Sequence, residues 1–394
     1  MTSESFRKAI ECRGITNQPD LGTRLYVDAA SQDTEKLSDL RALLDAWAQE
    51  SGFQAIGVSD MAVDEYVNRL DSWLSKGYQA DMDWIADRRA LRANPETLVE
   101  GSIRVLSFRM NYQPPDTEPL KILKSSDKAY ISRYALGRDY HKLIRNRLSK
   151  LAARIGQWAK EELSLETSQR AFVDSAPVLE KPLAEKAGLG WIGKNTLVLN
   201  RDAGSWFFLG EIYTSLPLPL DNQKAEDECG KCKACLNVCP TDAFPEPYVL
   251  DANKCISYLT IENSGTIPVE LRSKMGNRVF GCDDCQLICP WNRFSSATQE
   301  KDFSPRHQLD NSDLLELFQW TEEEFLDRTA GSPIRRTGYE GWQRNLAVGI
   351  GNGPASHEAI KTLKSYDCDS SLVREHVEWA LDQLVQRSAD FNDQ

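Results

Sequence analysis

Eight of the ten cysteines lie in one short segment, and their spacing is typical of iron–sulfur ligands. The segment reads C-x2-C-x2-C-x3-C-P, then a single cysteine, then C-x2-C-x3-C-P, with the thiols at Cys229, Cys232, Cys235, Cys239, Cys255, Cys282, Cys285 and Cys289. In proteins with two cubane clusters, the first of these runs gives three thiolates to one cluster and its fourth thiolate to the other. The spacing therefore predicts two 4Fe–4S clusters.

We expect the two runs to exchange one ligand each. The first cluster is predicted to bind Cys229, Cys232, Cys235 and Cys289. The second is predicted to bind Cys282, Cys285, Cys239 and Cys255, the last in place of the missing first cysteine of the second run. Pairs of C-x2-C also form four-thiolate zinc sites. The triple-cysteine run and the two Cys-Pro ends favour cubane clusters over zinc, and disulfides are favoured least.

The composition indicates an intracellular redox protein. The first residues are polar, and no run of about 18 apolar residues occurs, so we expect neither an export signal nor a membrane span. Thiolate ligands need a reducing compartment, which predicts the cytoplasm. The net charge of −12 argues against a general nucleic-acid binder, although a local basic surface remains compatible with it.

The elements that must position these thiols fall into composition regimes, and we expect a multidomain α+β protein. Residues 1–34 read as a loose N-terminal extension. Residues 35–220 alternate β-rich runs with helical patterns, which predicts an α/β domain whose sheet is covered by helices. Residues 221–300 form the ferredoxin-like cluster domain. Short amphipathic helices in residues 301–394 suggest a HEAT-like repeat packed on the preceding domain, with a simple helical cap as the alternative.

A second redox centre is expected because about 200 residues of mostly α/β chain precede the clusters. Residues 172–195 place several glycines and prolines among apolar residues, and such backbone permits close approach of a large planar ligand. Neither a phosphate-binding loop nor a dinucleotide fingerprint occurs there. ATP and NAD binding therefore have no support from the sequence.

Several segments make the chain similar to the epoxyqueuosine reductase family. They are SRYALGRDYH (132–141), VDSAP (173–177), GLGWIGKN (188–195), CISYLTI (255–261) and GCDDCQLICPWN (281–292). The resemblance runs from about residue 35 to residue 387 and implies reduction of epoxyqueuosine to queuosine at the wobble position of tRNA, the last step of queuosine biosynthesis. It also implies cobalamin, two 4Fe–4S clusters and three corresponding modules: a cobalamin domain, a ferredoxin-like domain and a HEAT-like tRNA-binding domain.

Removal of the epoxide oxygen requires an acid beside it, and a carboxyl serves at neutral pH only if burial raises its pKa. Asp174 fits best, because it follows an apolar strand run and should lie at the carboxyl edge of a sheet where α/β sites open. The resemblance points to the same residue as proton donor. Asp139 is the second candidate. Its neighbours Arg138 and His141 should lower its pKa, which suits an orienting carboxylate more than an acid.

The resemblance also implies a set of corrinoid contacts: Arg92, Ser132, Asp174, Val198, Leu209, Ser257, Asp283 and Asp284. A D-x-H-x-x-G corrinoid-binding pattern is absent, since Ile144 stands where the pattern needs glycine. Cobalamin is therefore expected base-off, without an axial histidine. His141 itself is interpreted as structural.

The predicted partner is the anticodon stem-loop of a tRNA bearing epoxyqueuosine. The predicted RNA contacts are Asn263, Arg335, Arg336, Tyr339, Trp342 and Arg344, which supply charge for phosphates and rings for unpaired bases. A second basic run, at residues 133–150, has a solvated helix face as its plainer interpretation. An external electron donor of flavodoxin or ferredoxin type and a monomeric state complete the expectation.

Two other functions remain open at this point. One is a corrinoid iron–sulfur reductase of a small epoxide or halogenated substrate, which would lack the C-terminal basic and aromatic segment. The other is a ferredoxin-type electron carrier, which would bind no cobalamin and would not need Asp174.

Overall fold

The computed structural model describes residues 22–221 and 224–392, and for residues 22–32 and 390–392 it describes the backbone alone. Most of the strands lie where period-two or β-rich runs predict them. The strands are β1 Ala55–Ser59, β2 Arg104–Asn111, β3 Tyr130–Ile131, β4 Gln169–Phe172, β5 Trp191–Ile192, β6 Val198–Leu199, β7 Phe207–Thr214 and β8 Arg278–Phe280.

The helices follow the apolar periodicity of the sequence. They are α1 Gly22–Glu50, α2 Asp64–Ser75, α3 Asp83–Asp87, α4 Arg89–Ala93, α5 Pro119–Lys124, α6 Tyr140–Leu163, α7 Glu180–Lys186, α8 Ala234–Val238, α9 Ile256–Ile261, α10 Val269–Met275, α11 Asp284–Leu287, α12 Leu314–Phe318, α13 Glu322–Arg328, α14 Gly338–Asn352, α15 His357–Lys364 and α16 Ser371–Asn392. Short 3-10 turns lie at Pro95–Thr97, Arg133–Ala135, Ala252–Lys254, Pro290–Phe294, Lys301–Phe303 and Pro333–Thr337.

The first helix corrects the prediction of a loose extension over residues 1–34. α1 begins at Gly22, before the expected start near Glu35, and continues to Glu50. The larger apolar residues before Glu35, Leu25, Tyr26 and Val27, are consecutive and do not recur at helical spacing, so the pattern gave no helical signal. Residues 1–21 lie outside the described residues.

The main sheet has the strand order β1-β2-β7-β4, and each neighbouring pair is antiparallel. The sequence predicted a sheet covered by helices and left the direction of its strands open. Apolar periodicity reports which face of a strand is buried and does not report the direction of its neighbour. The rule that sites open at the carboxyl edge of parallel strands therefore does not apply, and the position of Asp174 has to be argued from its own contacts.

Both faces of the sheet are covered by helices, as the alternating pattern predicts. On one face, Leu106 and Phe108 of β2 pack with residues of α1 and α6 such as Leu44 and Leu148. On the other face, Val105 of β2 and residues of β4 and β7 pack with α2 and α7. The sheet thus holds the first turns of α6 and α7 close to the end of β4.

A second core joins the C-terminal helices to the cluster segment. Leu346 of α14 and Val377 of α16 pack with Val279 and Phe280 of β8, and β8 pairs in parallel with β3. The C-terminal helices therefore pack on the preceding part of the chain, as expected. No helix in the described ranges is long and apolar enough to cross a membrane.

Candidate active site and cluster cavities

Two cavities divide the eight clustered cysteines into two sets of four. A cavity of about 220 Å³ is lined by Cys229, Cys232, Cys235 and Cys289. A larger cavity, of about 400 Å³, is lined by Cys239, Cys255, Cys282 and Cys285. All eight thiols are free. This is the crossed grouping that the spacing predicts, and each set offers the four thiolates that a 4Fe–4S cluster requires.

Short elements present these thiols to the cavities. Cys235 lies in α8, and Cys239 follows that helix directly. Cys255 precedes α9 as its N-cap residue, and Cys285 lies in α11. Lys194 fixes the loop of the first run, because its Nζ donates to the carbonyl oxygens of Gly230 and Cys232 at 2.5 and 2.9 Å.

The larger cavity also collects most of the predicted corrinoid contacts. Its lining includes Ser132, Asp174, Val198, Leu209, Ser257, Asp283 and Asp284. Arg92 is the exception, because it is not among the lining residues. Its side chain is buried in α4, beside the Trp84 ring, where it donates to the carbonyl oxygen of Ile85 at 3.2 Å. A contact between Arg92 and a corrinoid stays a prediction.

Two carboxylates hold one wall of this cavity in place. Asp283 accepts hydrogen bonds from the hydroxyls of Tyr130 and Ser132, at 2.8 and 2.5 Å, and from the backbone N–H of Arg133 at 2.8 Å. Burial raises the pKa of Asp283 despite these bonds. Asp284 accepts two hydrogen bonds from the Arg278 guanidinium, at 2.6 and 2.5 Å. These bonds tie the cluster segment to the β3–β8 pair.

Asp174 lies just after β4, in the left-handed region of backbone space with φ of 43°. This conformation is uncommon for a residue with a side chain, and it turns the carboxylate into the cavity. One carboxylate oxygen, Oδ2, accepts from the Tyr140 hydroxyl at 2.7 Å and from His141 Nε2 at 2.8 Å. The backbone N–H of Asp174 donates to Glu180 at the start of α7. Two helix N-termini thus hold the aspartate.

A continuous chain of hydrogen bonds runs from Asp139 through His141 to Asp174. Asp139 is the N-cap of α6 and accepts from the His141 backbone N–H at 3.0 Å. The same carboxylate oxygen lies 2.6 Å from His141 Nδ1. Burial alone would lower the pKa of His141, but the hydrogen bonds and charges of Asp139 and Asp174 raise it to about 9.

The pKa values of Asp174 and Asp139 shift in the opposite direction to that of His141. Burial would raise the pKa of Asp174, yet hydrogen bonds from His141 and Tyr140 and the charges of His141 and Arg336 hold it below its usual value. The expectation that burial raises this pKa is therefore wrong for the site without substrate. Asp139 also has a lowered pKa, since its bonds to His141 outweigh burial. At neutral pH the proton of the His141–Asp174 pair resides on the imidazole.

Sequence reasoning missed three groups of this site. His141 was interpreted as structural, although the spacing Asp139-Tyr140-His141 at a helix start is a signal for an orienting pair. Glu180 was unremarked, and so was Glu211, a carboxyl in the middle of the apolar strand β7 that is fully buried. A charged residue in a run of buried apolar ones is the signal that could have revealed Glu211.

Two glycines near residue 190 serve packing. A Cβ on Gly190 would lie 2.1 Å from the carbonyl oxygen of Leu199, and one on Gly193 would lie 2.5 Å from the Leu199 side chain. Gly190 also has a φ of 157°. These two glycines allow β5 and β6 to pair tightly, and the close approach of a planar ligand to residues 172–195 stays a prediction.

Three of the predicted RNA contacts are buried in the protein. Trp342 and Arg344 of α14 have no exposed surface, and Asn263 is buried with its side-chain oxygen accepting from the Gly265 N–H at 2.8 Å. Arg344 instead donates to the carbonyl oxygens of Leu259, Asn263 and Gly265. Contact with RNA is therefore excluded for Trp342 and Arg344 in this fold, whereas for Asn263, which keeps a little exposed surface, it stays a prediction.

The remaining predicted RNA contacts stay accessible to different degrees. Arg335 and Arg336 are exposed, while Tyr339 is half-buried and donates its hydroxyl to the Trp320 carbonyl oxygen at 2.8 Å. Arg336 pairs with Glu262 at 3.0 Å. The positive charge of Arg336 also lowers the pKa of Asp174 and of Asp139, so this guanidinium lies within electrostatic range of the acid cluster that these two carboxylates form.

Two adjoining thiol-lined cavities, the larger one shared with a histidine–carboxylate chain, define an iron–sulfur oxidoreductase. The family model of the 4Fe-4S double cluster binding domain matches residues 228–292. The family model of epoxyqueuosine reductase QueG matches residues 92–175.

The chain is 58% identical to the epoxyqueuosine reductase of Pseudomonas aeruginosa over 85% of its length and 92% of the relative. It is 52% identical to the epoxyqueuosine reductase of Escherichia coli, over 89% of this chain and 91% of that one. The chain belongs to the epoxyqueuosine reductase family.

Solved structures agree with the fold. The crystal structure of an epoxyqueuosine reductase with an epoxyqueuosine-modified tRNA-Tyr stem loop matches with a TM-score of 0.79 at 26% identity, over 88% of this chain and 91% of that one. A Bacillus subtilis epoxyqueuosine reductase matches over the same shares with a TM-score of 0.78 at 25% identity. In that structure the loop of a catalytic aspartate is swung out of the active site.

Proposed function

We propose that this chain reduces epoxyqueuosine to queuosine at the wobble position of tRNA, the last step of queuosine biosynthesis. One observation carries the proposal beyond family membership: Asp174, held by His141 and Tyr140, faces the same cavity as four cluster thiols. A proton donor and an electron source therefore meet at one place, as the removal of an epoxide oxygen requires.

We further propose base-off cobalamin as the cofactor of the larger cavity. Apolar side chains such as Val198, Phe207 and Leu209 offer walls for a corrin ring, while Ser132 and Ser257 offer hydroxyls for its amides. No described residue of the lining is histidine, which fits a corrinoid without a protein imidazole. When bound, the corrinoid supplies electrons to the substrate carbon.

The two cysteine sets support an ordered electron path. The set with Cys255 and Cys285 shares the cavity with Asp174, so its cluster would lie next to the corrinoid. The other set includes the exposed Cys232, so its cluster would lie nearer the surface. An external donor of flavodoxin or ferredoxin type would deliver electrons to this outer cluster.

The protein's own part in the chemistry is proton delivery. His141 holds a proton at neutral pH, and its Nε2 lies 2.8 Å from Asp174. His141 would transfer this proton to Asp174, which would pass it to the departing oxygen. Asp139 fixes the imidazole from its other nitrogen and acts as a positioning residue.

For the tRNA anticodon stem-loop, the exposed Arg335 and Arg336 remain proposed contacts, together with the exposed basic side chains of α6, Lys142, Arg145 and Lys150. Arg336 is the best placed of these, because it lies within electrostatic range of the acid cluster. A HEAT-like tRNA-binding domain over residues 301–394, the other predicted domain boundaries, a monomeric state and a cytoplasmic location belong to the same proposal. Thiolate ligands and a tRNA substrate support that location.

The test is anaerobic reconstitution with iron, sulfide and cobalamin, followed by mass spectrometry of nucleosides from epoxyqueuosine-containing tRNA. Wild type should yield queuosine, with the loss of one oxygen. Asp174→Asn should bind cobalamin and both clusters but leave the tRNA unchanged. If wild type loads all its cofactors and still leaves the tRNA unchanged, the proposal fails and a small epoxide or halogenated substrate becomes the better candidate.

A further inference from the structure

Glu211 is a carboxyl group that the proposed function does not use. It lies in β7, opposite Phe172 of β4, and its side chain has no exposed surface. No described donor group pairs with either carboxylate oxygen, and the side chain close enough to share a hydrogen with Glu211 is that of Glu180. An ionised carboxylate in such a place would be unsolvated and unpaired, so Glu211 must be neutral and carry a proton.

Glu180 connects Glu211 to the site. It is the first residue of α7, it lines the larger cavity, and it accepts the backbone N–H of Asp174. Burial and the charge of Asp174 raise the pKa of Glu180 to about 8. Burial and the neighbouring Glu180 also raise the pKa of Glu211 well above its ordinary value. The two carboxyls therefore hold at least one proton between them at neutral pH.

The other ionisable groups around this pair are few. Asp174 and His141 face it from the cavity side, and Lys181 lies beside Glu180 on α7, with its Nζ donating to the Thr196 carbonyl oxygen at 2.9 Å. Tyr213 lies near Glu211 on β7, and both glutamates raise the pKa of its hydroxyl. None of these groups donates a hydrogen bond to Glu211.

The stoichiometry of the reaction requires a proton donor in addition to the His141–Asp174 pair. Converting an epoxide to an alkene breaks two carbon–oxygen bonds, forms one carbon–carbon π bond, and releases the oxygen as water. The step consumes two electrons, from the external donor through the clusters, and two protons. The His141–Asp174 pair holds one proton at neutral pH, so a second must come from elsewhere.

We propose that Glu180 and Glu211 form a proton-sharing carboxyl pair that supplies the second proton of the reaction. The proposal rests on the proposed function. After Asp174 has given up the first proton, Glu180 transfers its own proton to Asp174. Glu211 then transfers its proton to Glu180. Glu211 acts through Glu180 and never touches the substrate, because it lies outside the cavity lining.

Infrared spectroscopy of the protein without corrinoid tests the pair independently of activity. Wild type at pH 7 should show the carbonyl band of a protonated carboxylic acid, shifted in heavy water. Glu211→Gln should remove or weaken this band. Glu185→Gln, on the same helix as Glu180, is the matched control. Glu185 is also buried, but Tyr66 and Lys224 pair with it, so the band should persist in this variant. A band absent from wild type, or unchanged in both Glu180→Gln and Glu211→Gln, overturns the proposal.

Single-turnover conversion of the tRNA supplies the second arm. Wild-type rates should fall as pH rises through about 8, where Glu180 loses its proton. Glu180→Gln should lower the rate by roughly 10²-fold and move the alkaline limb from about 8 to about 9, where His141 loses its proton. Glu211→Gln should also slow turnover while both clusters and cobalamin stay bound. Wild-type rates and an unchanged pH profile in both variants contradict the proposal, whereas a wild type that makes no queuosine contradicts the proposed function and leaves the infrared result standing.

Discussion

At the scale of single residues, the site works by distributing one proton over three groups. Asp139 and Asp174 each contact a different nitrogen of His141, so the imidazole stays protonated well above its ordinary range. The Tyr140 hydroxyl donates to the same oxygen of Asp174 that faces His141. Asp174 is consequently ionised at rest, and the proton resides on the adjacent imidazole.

Replacing His141 tests this arrangement. His141→Gln keeps a side chain that can hydrogen-bond to Asp174 but cannot hold a proton at neutral pH. We expect single-turnover rates to fall by roughly 10²- to 10⁴-fold, the usual contribution of a general acid. Lys160→Gln, at the exposed end of α6, should leave the rate unchanged. Equal rates in wild type and His141→Gln would show that Asp174 obtains its proton elsewhere.

The same histidine makes stability depend on pH. Its pKa is raised in the folded state from 6.5 to about 9, so its stabilising contribution is complete below pH 6.5 and is lost as pH rises through about 9. The difference in unfolding free energy between wild type and His141→Gln should reach up to about 3 kcal/mol at pH 6 and shrink towards pH 10. Urea unfolding at these two pH values measures it, and a constant difference would contradict the raised pKa.

Single residues also mark what a sequence can and cannot reveal. The spacing of the cysteines predicted their division into two sets of four, which the cavity linings match. Asp174 was predicted from its place after an apolar strand run and from the resemblance, and its role as proton donor stays a prediction. Trp342 and Arg344 were misassigned because an arginine and a tryptophan look alike in sequence whether they face solvent or the core. Their burial depends on neighbours that are distant in the chain, such as the carbonyl oxygen of Leu259.

At the scale of elements, α14 is the helix around which the C-terminal part of the chain packs. Every residue from Gly341 to Gly351 is buried, and a helix covered on all sides is usually apolar throughout. α14 nevertheless carries Gln343, Arg344 and Asn345. These side chains donate to backbone carbonyl oxygens around it, including those of Trp320, Leu259 and Val279. The helix thus anchors loops and short elements that cannot form their own backbone hydrogen bonds.

Arg344 should therefore be structural. Arg344→Met leaves the carbonyl oxygens of Leu259, Asn263 and Gly265 without their donor, and we expect it to lower the unfolding free energy by about 3 kcal/mol. It should also reduce iron content, because α9 begins directly after the ligand Cys255. Chemical unfolding and iron analysis measure both effects.

The matched control is Arg335→Met, which changes an exposed arginine nearby. Its effect on stability should stay within about 0.5 kcal/mol. If Arg344→Met were as stable and as rich in iron as Arg335→Met, the anchoring role of Arg344 would be wrong.

Element positions were more predictable than their pairing. Strands such as β2 and β7 and helices such as α6 lie where apolar periodicity predicts them, because an element that buries one face has apolar residues at its own structural period. The antiparallel order of the sheet left no such trace. Strand direction is decided by which long-range contacts close the core, and those contacts have no local signature.

At the scale of the whole molecule, an acidic protein has to bind an acidic polymer. The chain carries a net charge of −12, so attraction for tRNA depends on basic groups gathered on one side. Arg336 lies within electrostatic range of the acid cluster, and Arg335 is exposed beside it in sequence. Binding should accordingly be weak at high salt, while substrate recognition by the cavity persists.

Arg335→Gln tests the proposed contact with RNA. If Arg335 neutralises one phosphate, the slope of log affinity against log salt should fall by about one unit in magnitude. Lys361→Gln, on α15, serves as a charge-matched control and should leave the slope unchanged. Fluorescence anisotropy with an anticodon stem-loop measures the slope. Identical slopes for Arg335→Gln and wild type would remove Arg335 from the interface.

The core that joins β3, β8 and α14 explains why domain boundaries are hard to read from the sequence. β3 precedes the cluster segment, β8 lies within it and α14 follows it, yet residues of all three share one core. Changes in composition along the chain show where one set of residue types gives way to another. They do not mark where packing stops, because packing joins residues that composition separates.

The exchange of cysteines between the two runs has a consequence for how the protein matures. Cys289 lines the first cavity and Cys239 the second, so each inorganic core would be closed by a thiol from the opposite run. Neither iron–sulfur cluster can then be inserted into a half-folded segment. Damage to one cluster by oxygen would also loosen a loop that carries a ligand of the other cluster. Maturation and repair should be all-or-none: cells would contain fully loaded and empty forms of the enzyme, with few molecules carrying a single core.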